Sequence, residues 1–83
     1  MEKRIGSVLI LIREKSVTDI LNSTISNFSQ IIIGRQGLPL RSVNYGLISL
    51  VLEGTTDEIG ALTGQLGRIK GISLKSLVLK VKE

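Results

Sequence analysis

The stretch RIGSVLILIR, residues 4–13, decides how the rest of the chain is read. It is short, rich in β-branched residues and bounded by charge, which marks a strand. Strand alternation sends Ile5, Leu9 and Leu11 to one side and Val8, Ile10 and Ile12 to the other. A strand apolar on both sides belongs in the middle of a sheet, with both faces covered. Residues 45–53, YGLISLVLE, repeat the pattern, with Leu47 and Val51 on one side and Ile48, Leu50 and Leu52 on the other. The two segments are therefore expected beside each other at the sheet centre.

The segments around these two strands complete the fold. Ser16 has the chemistry of a helix N-cap, with Asp19 three residues on. Val17, Ile20, Leu21, Ile25 and Phe28 follow at helical spacing, which predicts an amphipathic helix over residues 17–28. Residues 30–35, QIIIGR, read as a short strand, and Gly34, Gly37 and Pro39 punctuate a long connection up to Tyr45. Thr55 and Glu58 form a better capping box, opening a helix whose stripe is Ile59, Leu62, Leu66 and Ile69 and which Gly71 is expected to stop. Residues 72–82, ISLKSLVLKVK, read as an edge strand, because Lys75, Lys80 and Lys82 discourage further pairing.

The order β-α-β-β-α-β predicts an α+β, ferredoxin-like sandwich built as a single domain over residues 1–83. Its antiparallel sheet has order 4-1-3-2, with both helices on one face. Two helices on one face leave the second apolar face of the central strands bare. That face, or a sheet edge, is where a partner chain is expected.

Composition narrows the chemistry. The chain has 83 residues, 42% hydrophobic and 2% aromatic, the aromatics being Phe28 and Tyr45. Ile, Leu and Val together fill 31 positions, and His, Cys and Trp are absent. Without His or Cys the chain lacks the usual ligands for zinc, haem or iron–sulfur clusters, and it cannot build a Ser–His–Asp or Cys–His catalytic set. No metal or other cofactor is expected. The acids cluster at helix starts and chain ends, where capping accounts for them, so the chain is not expected to be an enzyme. A mean hydropathy of +0.32 is high for so short a chain. It fits either a dense monomeric core or, as expected here, a homodimer or homotetramer. Residues 5–12 are too short and too closely followed by charge for a signal peptide, and no run approaches a membrane span. A cytoplasmic protein with no membrane partner is expected.

Four features could carry function. In the second helix Gly60, Gly64 and Gly67 fall on one flank. Each costs about 1 kcal/mol against Ala. They either admit the close approach of a partner or relieve packing on the sheet, with Gly67 a simple C-cap. Arg35 and Arg41 bracket Gly37 and Pro39 in the long connection, where two guanidiniums on a stiff loop could hold a carboxylate or phosphate, or could simply be solvated. Arg13, Lys15 and Ser16 lie at a helix N-terminus, suited to an anion or to an ordinary charged turn. Arg68, Lys70, Lys75, Lys80 and Lys82 make the last third basic, through edge protection or phosphate tracking. A net charge of +4 and so few aromatics disfavour nucleic acid as the partner. Candidate ligand residues are therefore Arg13, Lys15, Ser16, Arg35, Gly37 and Arg41; candidate interface residues are Gly60, Gly64, Gly67, Val8, Ile10, Leu47 and Val51.

The run IGALTGQLGRIKGISLKS from Ile59, with NFS at residues 27–29 and R-x-G-x-P-x-R at residues 35–41, resembles a small bacterial family over essentially the whole chain. Its members are described as iron-only hydrogenase system regulators or transcriptional regulators, near the ACT domains and the C-terminal domain of the nickel regulator NikR. The resemblance implies an ACT-like fold, oligomerisation and a regulatory role near hydrogenase maturation. A small anionic or amino-acid-like ligand at a subunit interface is expected, lined by the turn after the first strand and by the Arg35–Arg41 connection. Nickel sensing does not carry over, because those relatives use His and Cys. They also carry a separate DNA-binding segment with no counterpart here, so DNA regulation is expected to run through a protein partner. A nucleic-acid-binding regulator using the basic C-terminal face and a purely structural assembly module are the alternatives.

Overall fold

A computed structural model describes residues 3–81. Strand β1 spans Arg4–Ile12, helix α1 Thr18–Ser26, strand β2 Ile32–Leu40, strand β3 Tyr45–Gly54, helix α2 Thr56–Leu66 and strand β4 Ile72–Lys80. The sheet order is β2-β3-β1-β4 and every pairing is antiparallel. This is the expected order read from the other edge.

Register explains which residues form the core. Val8 pairs with Leu50, Ile10 with Ile48 and Gly6 with Leu52 on the face that carries the helices. Leu21 and Ile25 of α1 and Ile59, Leu62 and Leu66 of α2 close over them. Seven of these side chains, Val8, Ile10, Leu21, Leu50, Leu52, Leu62 and Leu66, are fully buried. From Gly6 to Ile12 in β1 and throughout β3 the helix-facing positions are aliphatic or glycine, so burying them strands no polar side chain, and among the described residues the buried core contains no polar or charged residue.

The opposite face is bare. It presents Ile5, Leu9 and Leu11 of β1, Leu47 and Val51 of β3, Leu38 and Leu40 of β2, and Leu77 and Leu79 of β4. Leu77 is 75% exposed, Leu79 66%, Leu9 49% and Leu38 47%. The expected interface therefore needs a correction. Val8 and Ile10 are 0% exposed beneath the helices and cannot meet another chain.

The connections differ from expectation in physically readable ways. Ser16 does not cap α1. A 3₁₀ turn at Lys15–Val17 precedes the helix, the N-cap is Val17, and no side chain caps it. The helix ends at Ser26, and Phe28 packs on the core from the following turn. Strand β2 runs on through Gly37 and Pro39 to Leu40, past a bulge between Ile32 and Gly34. An edge strand needs only one side of its ladder, so it accepts a proline that a central strand would reject. The long connection thus shrinks to residues 41–44, where Asn44 takes φ 56°, a left-handed turn position that Asn tolerates. Thr55 and Glu58 make the expected capping box, the Glu58 amide donating to Thr55 Oγ1 at 3.1 Å and the Thr55 amide to Glu58 Oε1 at 2.8 Å. Helix α2 stops at Gly67 rather than at Gly71. Gly71, at φ +90°, instead turns the chain into β4, and its carbonyl accepts from the Arg13 amide at 2.9 Å and the Glu14 amide at 3.3 Å. Lys82 lies outside the described residues.

Candidate functional site

Two loops meet at one end of the sheet, the 3₁₀ turn leading from β1 into α1 and the hairpin joining β2 to β3. Between them lies a cleft of about 380 Å³, within the size range of small-molecule sites. Its apolar floor is Ile12, Pro39, Leu40 and Gly46, and its rim carries Lys15, Thr18, Arg41 and Asn44. The rim is fastened across the gap: Lys15 Nζ donates to Asn44 Oδ1 at 3.3 Å. Thr18, in the first turn of α1, donates from its hydroxyl to the Lys15 carbonyl at 2.8 Å, which fixes the turn that carries Lys15.

The chemistry follows from that arrangement. Lys15 and Arg41 are both exposed cations, one from each loop, and both line the cleft with Thr18 of the first turn of α1. An apolar floor beneath cationic walls suits a small molecule with a carboxylate or phosphate at one end and a hydrocarbon or ring at the other.

The other nominated residues go elsewhere. Arg13 lies across the sheet end, its Nη2 donating to the Ile72 carbonyl at 3.5 Å, and it is not part of the cleft lining. Ser16 sits exposed in the 3₁₀ turn. Gly37 is paired opposite Ile48 inside β2. Arg35 donates to Asn22 Oδ1 at 2.7 Å, tying β2 to α1. With both ends of an extended segment at Arg35 and Arg41, the two guanidiniums begin roughly 20 Å apart at about 3.3 Å per residue, so they do not form one anion grip. The loop pair proposed from sequence is replaced by Lys15 with Arg41. Asn44 and Thr18 were missed. The left-handed turn preference of Asn in the run RSVN was the available signal for the first.

The glycines of α2 are now placed. A Cβ added at Gly60 or Gly64 would meet nothing within 4 Å, so neither relieves packing on the sheet. Gly67 is the C-cap, in ordinary right-handed helical geometry. The basic residues of the last third scatter. Arg68 and Lys70 edge a groove between the helices, Lys75 pairs with Leu9 on the bare face, and Lys80 pairs with Arg4 on the helix face.

A family model described as "TM1266-like: Iron-only hydrogenase system regulator, putative" matches residues 4–76. The chain belongs to this family. Within it, the chain resembles the structure of TM1266 from Thermotoga maritima at 39% identity, covering 95% of this chain and 100% of that one, with a TM-score of 0.88. The C-terminal domain of the MgtC protein from Mycobacterium tuberculosis shares the fold at 17% identity, covering 93% and 88%, with a TM-score of 0.66. So does CPII from Thiomonas intermedia K12, solved bound to ADP, AMP and acetate, at 11% identity, covering 100% and 94%, with a TM-score of 0.51. None of the curated proteins matches the chain. Membership of the regulator family bears out the resemblance carried by residues 59–76. Among the described residues no helix is long and apolar enough to cross a membrane.

Proposed function

We propose that this member of the hydrogenase-system regulator family is a non-catalytic, oligomeric sensing module that binds a small anion in the Lys15–Arg41 cleft. The observation that carries the reading is that Lys15 and Arg41, from two separate loops, line one cleft with an apolar floor beside the first turn of α1. Binding would shift a conformational or assembly equilibrium by as much as the ligand distinguishes the two states. Any effect on transcription would pass through a protein partner. The scatter of Arg68, Lys70, Lys75 and Lys80 over three surfaces favours this over a direct grip on nucleic acid, which needs a continuous basic track.

The test is a thermal-shift and calorimetric screen with ADP, AMP, acetate and free amino acids, on the natural chain and on the Lys15→Ala/Arg41→Ala double variant. A ligand at a hundred times its Kd stabilises by about 2.7 kcal/mol, which is about 10–20 °C in a domain of this size. The expected result is a shift with at least one probe that the double variant abolishes while keeping its circular dichroism spectrum. No shift with any probe at millimolar concentration, or a shift the double variant keeps, overturns the reading.

A further inference from the structure

The bare sheet face has a pattern as well as an area. Across β2, β3, β1 and β4, one corner holds Val51, Ile5, Leu77 and Leu79, and the diagonally opposite corner holds Leu38, Leu40, Leu47 and Leu11. Leu9 lies between them, and the row that crosses it, Gln36, Ser49 and Lys75, is polar. Within the four strands only Glu53 and Lys75 are charged on this face. Four strands about 4.8 Å apart, at about 3.3 Å per residue, make a face of ~19 Å by ~30 Å, or ~570 Å² in plan. Side chains standing off the pleat bring its accessible area toward the ~800 Å² per partner of a stable interface.

We propose that this face is the seat of a second copy of the same chain, stacked face to face about a two-fold axis that lies in the sheet plane and passes near Leu9. The two-fold axis of a face-to-face pair must lie in the plane of contact. An axis along the strands, or square to them, would lay each apolar corner on the corner at Gly34 and Glu53 or on the one at Ser73, neither of which has a matching leucine cluster. An axis along the diagonal from the β2 end near Ile33 to the β4 end near Ser73 exchanges the two apolar corners. It sets Leu77 and Leu79 against Leu38 and Leu47 of the partner subunit and leaves Leu9 close to its own symmetry mate. A diagonal axis turns the strands of one sheet nearly square to those of the other, the orthogonal mode of sheet packing. The second copy is favoured over a different partner because the patch is complementary to itself. This deepens the oligomeric part of the reading above and is independent of the anion cleft.

The chain contains no cysteine, which makes the test clean. Leu9→Cys, Leu47→Cys, Leu77→Cys and, on the exposed side of α1 away from this face, Ser23→Cys are made singly and oxidised under mild conditions. Leu9→Cys should form disulfide-linked dimers by itself, a mixture of the Leu47→Cys and Leu77→Cys chains should give mixed dimers, and Ser23→Cys should stay at least tenfold less cross-linked than Leu9→Cys. Sedimentation of the cysteine-free natural chain should show a dimer or an even multiple at micromolar concentration, and Leu9→Lys should shift it to monomer with an unchanged circular dichroism spectrum. A natural chain that is monomeric at 100 μM overturns the proposal. So does self-linking of Leu77→Cys without the mixed Leu47–Leu77 product, which would place the contact edge to edge along β4.

Discussion

Gly60 and Gly64 should be the easiest places to stabilise this protein. Both lie within α2, both are exposed, and a Cβ added at either meets nothing within 4 Å. Glycine inside a helix costs about 1 kcal/mol against alanine, largely because the unfolded chain has more freedom to lose. With no clash to set against that gain, Gly60→Ala/Gly64→Ala should gain about 2 kcal/mol. A domain of this size moves about 4–8 °C per kcal/mol, so the melting temperature should rise by about 8–16 °C. The assay is thermal unfolding followed at 222 nm at one fixed protein concentration, with the oligomer size measured in parallel. A lower melting temperature, or a smaller oligomer, would show that another chain packs against this flank of α2. That result would refute the assignment of the bare sheet face, rather than the glycine flank, as the place where subunits meet.

Three shorter predictions rest on the same structure. Thr55→Ala removes a cap that both partners of the box satisfy and should cost about 1 kcal/mol, whereas Ser16→Ala removes a hydroxyl that caps nothing and should stay within about 0.5 kcal/mol; paired urea titrations separate them. Gly71→Ala forces a side chain into φ +90° and brings its Cβ to 3.0 Å from the Cβ of Glu14, so it should lose roughly 1–3 kcal/mol, read as a lower urea midpoint with an unchanged slope.

What could be read in the sequence, and what could not, follows from how many independent constraints act on each residue. Strands β1 and β3 declared themselves because both faces of a central strand must be apolar. The Thr55–Glu58 box declared itself because both halves of the motif are spelled out. Ser16 misled because a hydroxyl before a helix is only half of that signal, and the 3₁₀ turn had already displaced the cap by one residue. Strand β2 misled because glycine and proline read as breakers, while an edge strand with one free side can absorb them. Assigning Val8 and Ile10 to the interface was avoidable. Ser7, Ser49 and Glu53 of the two central strands fall on one face, with Ser73 and Lys75 of β4 beside them, whereas the other face is aliphatic or glycine from Gly6 to Ile12 of β1 and throughout β3. That cross-strand comparison, rather than either strand alone, says which face the helices must cover. The cleft was half legible: Lys15 and Arg41 could be nominated one by one, but nothing in the linear order says that a hairpin 25 residues downstream folds back onto the first turn.

The β2–β3 hairpin belongs to both proposed sites, and this ties their energetics together. Its residues 39–46 supply one wall and part of the floor of the cleft, and Leu38 and Leu47, immediately before and after, lie in the proposed subunit contact. A ligand that draws Arg41 toward Lys15 acts on the strand ends that hold those leucines in place. Thermodynamic reciprocity then gives a quantitative constraint. If an anion tightens dimerisation tenfold, the dimer must bind that anion tenfold more tightly than the monomer does, a coupling of about 1.4 kcal/mol in either direction. Measuring the anion affinity of the Leu9→Lys monomer against that of the natural dimer therefore decides whether this domain is a sensor that reports through assembly. Equal affinities would mean that the cleft and the face share a hairpin without sharing free energy, and the signal would have to leave the protein by another surface.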